Sequence, residues 1–175
     1  MDWYSSVFEL IDMRSFSNLW FWIALAVVWS TASHWVLGVP WDMVMRARKS
    51  QGEALQDMED MVRINVNRIL YIAQESGLLL AAFICFILTV LALLGFVYDR
   101  EFAQAVFLLA LPMSGVGLVS ARTAYAVRMQ GLHGETLIKR LWRHRIYVQF
   151  IGMISIFVTA MWGMLQNMST SALGG

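Results

Sequence analysis

Charge is distributed along this chain in blocks. Four stretches hold no Asp, Glu, Lys or Arg, and their apolar bodies run over 19–39, 77–98, 102–120 and 146–165. A helix of roughly 20 apolar residues crosses a bilayer, so each body predicts one membrane span. Only "DRE" (Asp99–Glu101) separates the second span from the third, which makes them a tight antiparallel hairpin. Two longer polar connections, 40–76 and 121–145, join the others.

These connections are patterned too. From Glu53 onward, Leu55, Met58, Val62, Val66, Ile69 and Ala73 recur in steps of three and four, one stripe on a helix. Gly77 alone interrupts the pattern before the second span. The spacing predicts a single helix from Glu53 to Val97, about 65 Å long at 1.5 Å per residue. "WDMVMRARK" after Pro40 is short and amphipathic, and Gln51–Gly52 is its turn. "GLHG" (Gly131–Gly134) turns between an extension of the third span and "ETLIKRLWRHRIYVQF", which leads into the fourth. The expected fold is all-α: an integral membrane four-helix bundle whose helices extend beyond the lipid as two helical hairpins. Separate helices lying on the headgroups are the alternative.

Composition agrees with this reading. Of 175 residues, 59% are apolar and 14% charged, against about a quarter charged in soluble domains. A net charge of +1 gives nucleic acid no global reason to bind. The single Cys85 excludes an intrachain disulfide and a thiolate zinc site. At the N-terminus Asp2, Glu9 and Asp12 stand against Arg14, the wrong charge for a secretory signal, so the first helix is expected to stay.

Lys and Arg set the orientation. The first long connection carries Arg46, Arg48, Lys49, Arg63 and Arg68; the second carries Arg122, Arg128, Lys139, Arg140, Arg143 and Arg145. Only Arg14 and Arg100 lie elsewhere. The positive-inside rule places both connections in the cytosol and both termini outside, as in a multi-pass protein of the bacterial inner (plasma) membrane. Trp20, Trp22, Trp35, Trp41, Tyr98, Trp142 and Tyr147 fall at span ends, where amphipathic rings favour the headgroup level.

Candidate chemistry is sparse. His34 is the one ionisable side chain within a span, in the four-spaced row Ala26, Ser30, His34, Gly38. Ser155, Thr159 and Gly163 form a similar row in the fourth span. Small and hydroxyl residues line helix contacts in membranes, so Ser30, His34, Gly38, Ser155, Thr159 and Gly163 are expected at packing faces. The alternative for His34 is a b-type haem shared with His144; a homo-oligomeric channel or carrier lined by Ser30 and His34 is another. Met161, Met164 and Met168 share a face, without His or Cys, and read as packing rather than a copper site. No acid pair lies within a span, and no nucleophile–base pair, phosphate loop or metal cluster is visible. The expectation is a non-enzymatic protein with no cofactor or metal.

The two connections differ in charge. Glu53, Asp57, Glu59 and Asp60 form an acidic tip, while Lys139, Arg140 and Arg143 form a basic face. Solvated charge, or mutual attraction between the hairpins, accounts for both; docking of a protein partner is the functional alternative. The bilayer and such a partner are the expected associates, with a homo-oligomer also open. Finally, "FELIDMRSFSNLWFWIALAVVWSTASHWVLGVPWDMV" (Phe8–Val44) and "VFLLALPM" (Val106–Met113) resemble a family of small four-span alphaproteobacterial membrane proteins. Some members of that family are described as components of the SufBCD complex, the iron–sulfur cluster assembly machinery. The resemblance implies a scaffold or accessory subunit anchoring a cytosolic assembly, and it carries over no catalytic residue. One cysteine cannot hold a cluster by the usual thiolates.

Overall fold

The computed structural model describes Phe16 and residues 18–173, with side chains through Met168. The acidic stretch Asp2–Asp12 therefore lies outside the described residues. The element order is α1 (Leu19–His34), a β-hairpin of β1 (Trp35–Val36) and β2 (Val39–Pro40), α2 (Trp41–Ser50), α3 (Glu53–Ala92), a π-helical turn (Leu93–Val97), α4 (Glu101–Gln130) and α5 (Gly134–Leu173).

α1 begins where the Asn18 side chain accepts from the Trp20 N–H at 3.0 Å, an N-cap that satisfies one of the four orphan donors. It ends at His34, five residues short of the apolar body read as 19–39. Leu37 (φ 51°) and Gly38 (φ 75°) both take positive φ and turn the chain, pairing Val36 with Val39 and Trp35 with Pro40. A two-residue turn of this kind matches strand twist, and Pro40 then starts α2 with its φ already set. The sixteen residues of α1 rise about 24 Å. The helices Glu53–Val97, Glu101–Gln130 and Gly134–Met168 are long and apolar enough to cross a membrane; α1 is shorter.

α3 runs unbroken through Gly77, as its apolar spacing requires, and widens only in the π turn. That turn brings Gly95 against α4, where a Cβ would sit 3.0 Å from the Gln104 backbone nitrogen. Pro112 lies inside α4 without ending it. α3 packs on α4, α4 on α5, and α5 on α1, while α2 lies chiefly along α3.

Contacts between helices fix their register. Asn67 meets Arg128, Thr123 meets His144, Leu108 meets Ser155, Ser33 meets Arg145, and Gly152 meets Trp29. This register sets four exposed aromatic residues from four elements, Trp35, Tyr71, Tyr125 and Trp142, at one level. The molecule divides there into a head and a shaft.

In the head, apolar residues are inside. Val36, Leu37 and Val39 of the hairpin close over Val44, Met58, Val62, Val66, Val127, Leu137 and Leu141, all buried. Of the stripe read from the sequence, Met58, Val62 and Val66 are buried and Leu55 and Ile69 half-buried, while Ala73 is exposed and Leu70 is buried in its place. In the shaft the sense reverses. Leu78 (87%), Leu79 (75%), Phe83 (61%) and Phe86 (63%) stand exposed on α3, and none of the most apolar stretch of that helix is buried. The polar Gln104, Ser155 and Thr159 are buried instead.

Candidate functional site

Four acids were expected to form one docking strip on the head, and the structure divides them. Glu53, Asp57 and Asp60 are exposed, and Asp60 holds Arg63 at 3.0 Å. Glu59 turns inward. Its Oε1 accepts the Gly134 N–H at 2.5 Å, and its Oε2 lies 3.7 Å from His133 Nδ1. Gly134 opens α5, whose first N–H groups have no partner of their own. Glu59 supplies the missing cap across the head and places a negative charge at the positive end of the helix dipole. A cleft of about 260 Å³ lies beside this contact, between α3 and the α4–α5 turn. Its polar rim is internally paired, Asn67 with Arg128, Arg63 with Asp60 and Glu59 with His133.

On the basic side, Lys139 is exposed and paired with Glu135 at 2.8 Å. That hydrogen bond, reinforced by the Lys139 charge, holds the Glu135 carboxyl below its ordinary range. Arg140 is half-buried and Arg143 exposed. Arg145 does the most structural work. Its Nε donates to the Ser33 carbonyl at 3.2 Å, and its guanidinium lies 4.3 Å from the Trp41 ring centroid. It thereby ties α5 to the end of α1 and the start of α2 by a hydrogen bond and a cation–π contact.

The row through His34 is corrected by the fold. Ser30 and His34 are exposed, and α1 packs through Leu25 and Trp29 instead. Gly38 is not on the helix at all; it sits in the turn, where its carbonyl accepts from Asn65 Nδ2 at 3.2 Å. The reason is size: the flat Trp29 ring lies over Gly152 of α5, where a Cβ would come within 2.8 Å of Trp29 Cε3. A large ring in a glycine notch sets which face of an almost uniformly apolar helix turns inward.

The matching row on α5 is inside. Gly163 is the notch for Phe16, and Ser155 and Thr159 are buried. Ser155 Oγ donates to the Leu108 carbonyl at 3.5 Å. Leu108 is four residues before Pro112, so its carbonyl is the one that proline deprives of a helical N–H. Ser155 restores the lost bond from the neighbouring helix. The Thr159 hydroxyl and the Trp29 indole N–H are buried without a hydrogen-bond partner among the described residues.

The two histidines proposed for haem address different partners. His34 is 3.9 Å from Asp42 on α2 and meets Trp35 edge-on. His144 is buried between α4 and α5, with Nδ1 3.1 Å from Thr123 Oγ1. Burial, with Arg140 nearby, lowers its pKa to about 4, so the imidazole is neutral at pH 7. One ring faces solvent and the other the interior, and they do not converge on a shared space as bis-histidine ligation requires. Among the described residues no three His, Cys, Asp or Glu side chains group as metal ligands. Met161, Met164 and Met168 are exposed on the shaft.

Gln104 is the residue that sequence reading passed over. It is 1% exposed and uses both ends of its amide. Nε2 donates to the Gly95 carbonyl (2.8 Å) and Asp99 Oδ1 (3.0 Å); Oε1 accepts from Trp162 Nε1 (2.9 Å) and Gln166 Nε2 (3.0 Å). One side chain thus joins the π turn, α4 and α5 at the end of the shaft far from the head. A lone amide in the window 102–120 was the available signal. No family model, curated protein or solved structure matches this chain.

Proposed function

We propose that the chain is a non-enzymatic, four-span protein of the bacterial inner membrane that holds a rigid helical head in the cytosol, as a scaffold or accessory subunit. The observation that carries the reading is the reversal of polarity at the aromatic level: apolar side chains inside the head, outside along the shaft. Water favours the first arrangement and hydrocarbon the second. The distribution of charge agrees. Arg46, Arg48, Arg63, Arg128, Lys139 and Arg143 sit on the head, while Arg100 is at the opposite end of the shaft, which supports a cytosolic head. α1 is short for a hydrocarbon core of roughly 30 Å, and local thinning of the bilayer accommodates such a span.

The head offers partners a fixed surface on which Glu53, Asp57 and Asp60 remain accessible, with Arg143 on the basic side. The resemblance to proteins described with the SufBCD complex makes a cytosolic iron–sulfur assembly the partner class to test first. The test is co-purification from native membranes in mild detergent, comparing the natural chain with Glu53→Ser/Asp57→Ser/Asp60→Ser. Loss of a specific partner supports docking. An unchanged set of copurifying proteins removes it.

A further inference from the structure

The groove between α2 and α5 is a second feature of the head, and its chemistry differs from that of the acidic tip. It encloses about 280 Å³ and is lined by Trp41, Met45, Arg48, Ile138, Lys139 and Trp142, with Glu135 at its far end. Its floor is apolar. Trp142 is at the aromatic level and 52% exposed, so one end of the groove opens where head meets shaft. Lys139 is three residues from Trp142, about 4.5 Å along the helix. Arg48 lies on α2 seven residues beyond Trp41, about 10 Å farther from the shaft by helical rise, and lines the opposite wall of the groove. Lys139 is paired with Glu135 at 2.8 Å and the Arg48 charge acts on the same carboxylate, so the groove carries two cations against one acid and keeps a net positive charge. Below Trp142, Ile146 (39%) and Phe150 (57%) continue the exposed row of α5 down the shaft.

We infer that this groove holds the headgroup of an anionic phospholipid, with Arg48 and Lys139 at the phosphate, Trp41 and Trp142 at the glycerol level, and an acyl chain along Ile146 and Phe150. The charge is complementary, and the groove joins a headgroup-level aromatic ring to an apolar track that only a chain-bearing ligand would fill. Basic pockets between helices at the cytosolic face recognise such lipids by this chemistry. The inference rests on the membrane reading above.

Native mass spectrometry tests it on the full chain, reconstituted in phosphatidylcholine bilayers with or without phosphatidylglycerol and released in mild detergent. One phosphatidylglycerol is expected to stay bound in preference to phosphatidylcholine. Arg48→Gln with Lys139→Gln should lower the retained fraction about thirtyfold, roughly fivefold for each cation. Arg48→Lys with Lys139→Arg should restore it, and Arg63→Gln, on the other side of the head, should leave it unchanged. Equal retention of both lipids, or an equal loss in Arg63→Gln, overturns the site. So does a double variant that keeps its lipid but sheds a copurifying protein. A natural chain recovered as soluble protein defeats the membrane reading itself, which is a separate outcome.

Discussion

At the scale of single residues, the interior of the shaft is governed by which polar atoms have partners. Ser155 and Thr159 are one turn apart on α5 and both buried, yet their roles differ. Ser155→Ala leaves the Leu108 carbonyl orphaned opposite Pro112, and should cost about 1 kcal/mol. In a Pro112→Ala background the helical N–H returns and that penalty should largely vanish; denaturant titration in detergent, run as a double-mutant cycle, measures the coupling. Thr159→Val removes a hydroxyl that has no partner among the described residues, so it should be neutral or stabilising. His144 makes a prediction about pH. Its pKa is lowered from 6.5 to about 4 in the fold, so the unfolded chain takes up the proton first. Stability is then level above about pH 7, falls as pH drops from about 6.5 to about 4, and levels off below, a loss of about 3 kcal/mol. His144→Asn should flatten that segment of the curve relative to the natural chain.

Among the elements, α5 is the helix most dependent on others. It opens at Gly134, and its cap comes from Glu59, 75 residues away in sequence. Glu59→Ala should cost about 1–2 kcal/mol and raise hydrogen exchange in the first turn of α5, leaving the Gln104 end unchanged. Gly152→Ala should cost about 1–3 kcal/mol by pushing the Trp29 ring, and with it α1, off α5. These contacts also explain what the sequence could and could not disclose. The helix from Glu53 to Val97 was legible because apolar residues spaced by three and four, with polar residues between them, fit one face of a helix and no strand over so long a run. The end of α1 was not, because apolar continuity through Val39 hid the turn; "LGVP" (Leu37–Pro40) was the local signal, a glycine and a proline two residues apart. The buried face of α1 was illegible for another reason. A helix apolar all round has no preferred side until its neighbour supplies a notch. The role of Glu59 required knowing that the two head hairpins meet, which no local pattern states.

For the whole molecule, the burial pattern turns into a statement about which solvent each part meets. A soluble chain gains nothing from holding Leu78, Phe83 and Phe86 exposed while burying Gln104 and Ser155; in hydrocarbon both choices are favourable, since an unpaired amide there costs several kcal/mol. The same logic fixes an order of accessibility along the chain. Cys85 is exposed on the shaft, so in intact membranes a water-soluble maleimide should pass it by, and solubilisation should unmask it. In a Cys85→Ser background, Asp57→Cys at the head should label only after the inner membrane is permeabilised, whereas Arg100→Cys at the α3–α4 turn should label from outside. The two sites are separated by most of α3 and the π turn, about 60 Å by helical rise, so one barrier can stand between them. Labelling of both from the same side would mean that the shaft does not cross, and the exposed leucines and phenylalanines would then require a protein rather than a lipid to cover them.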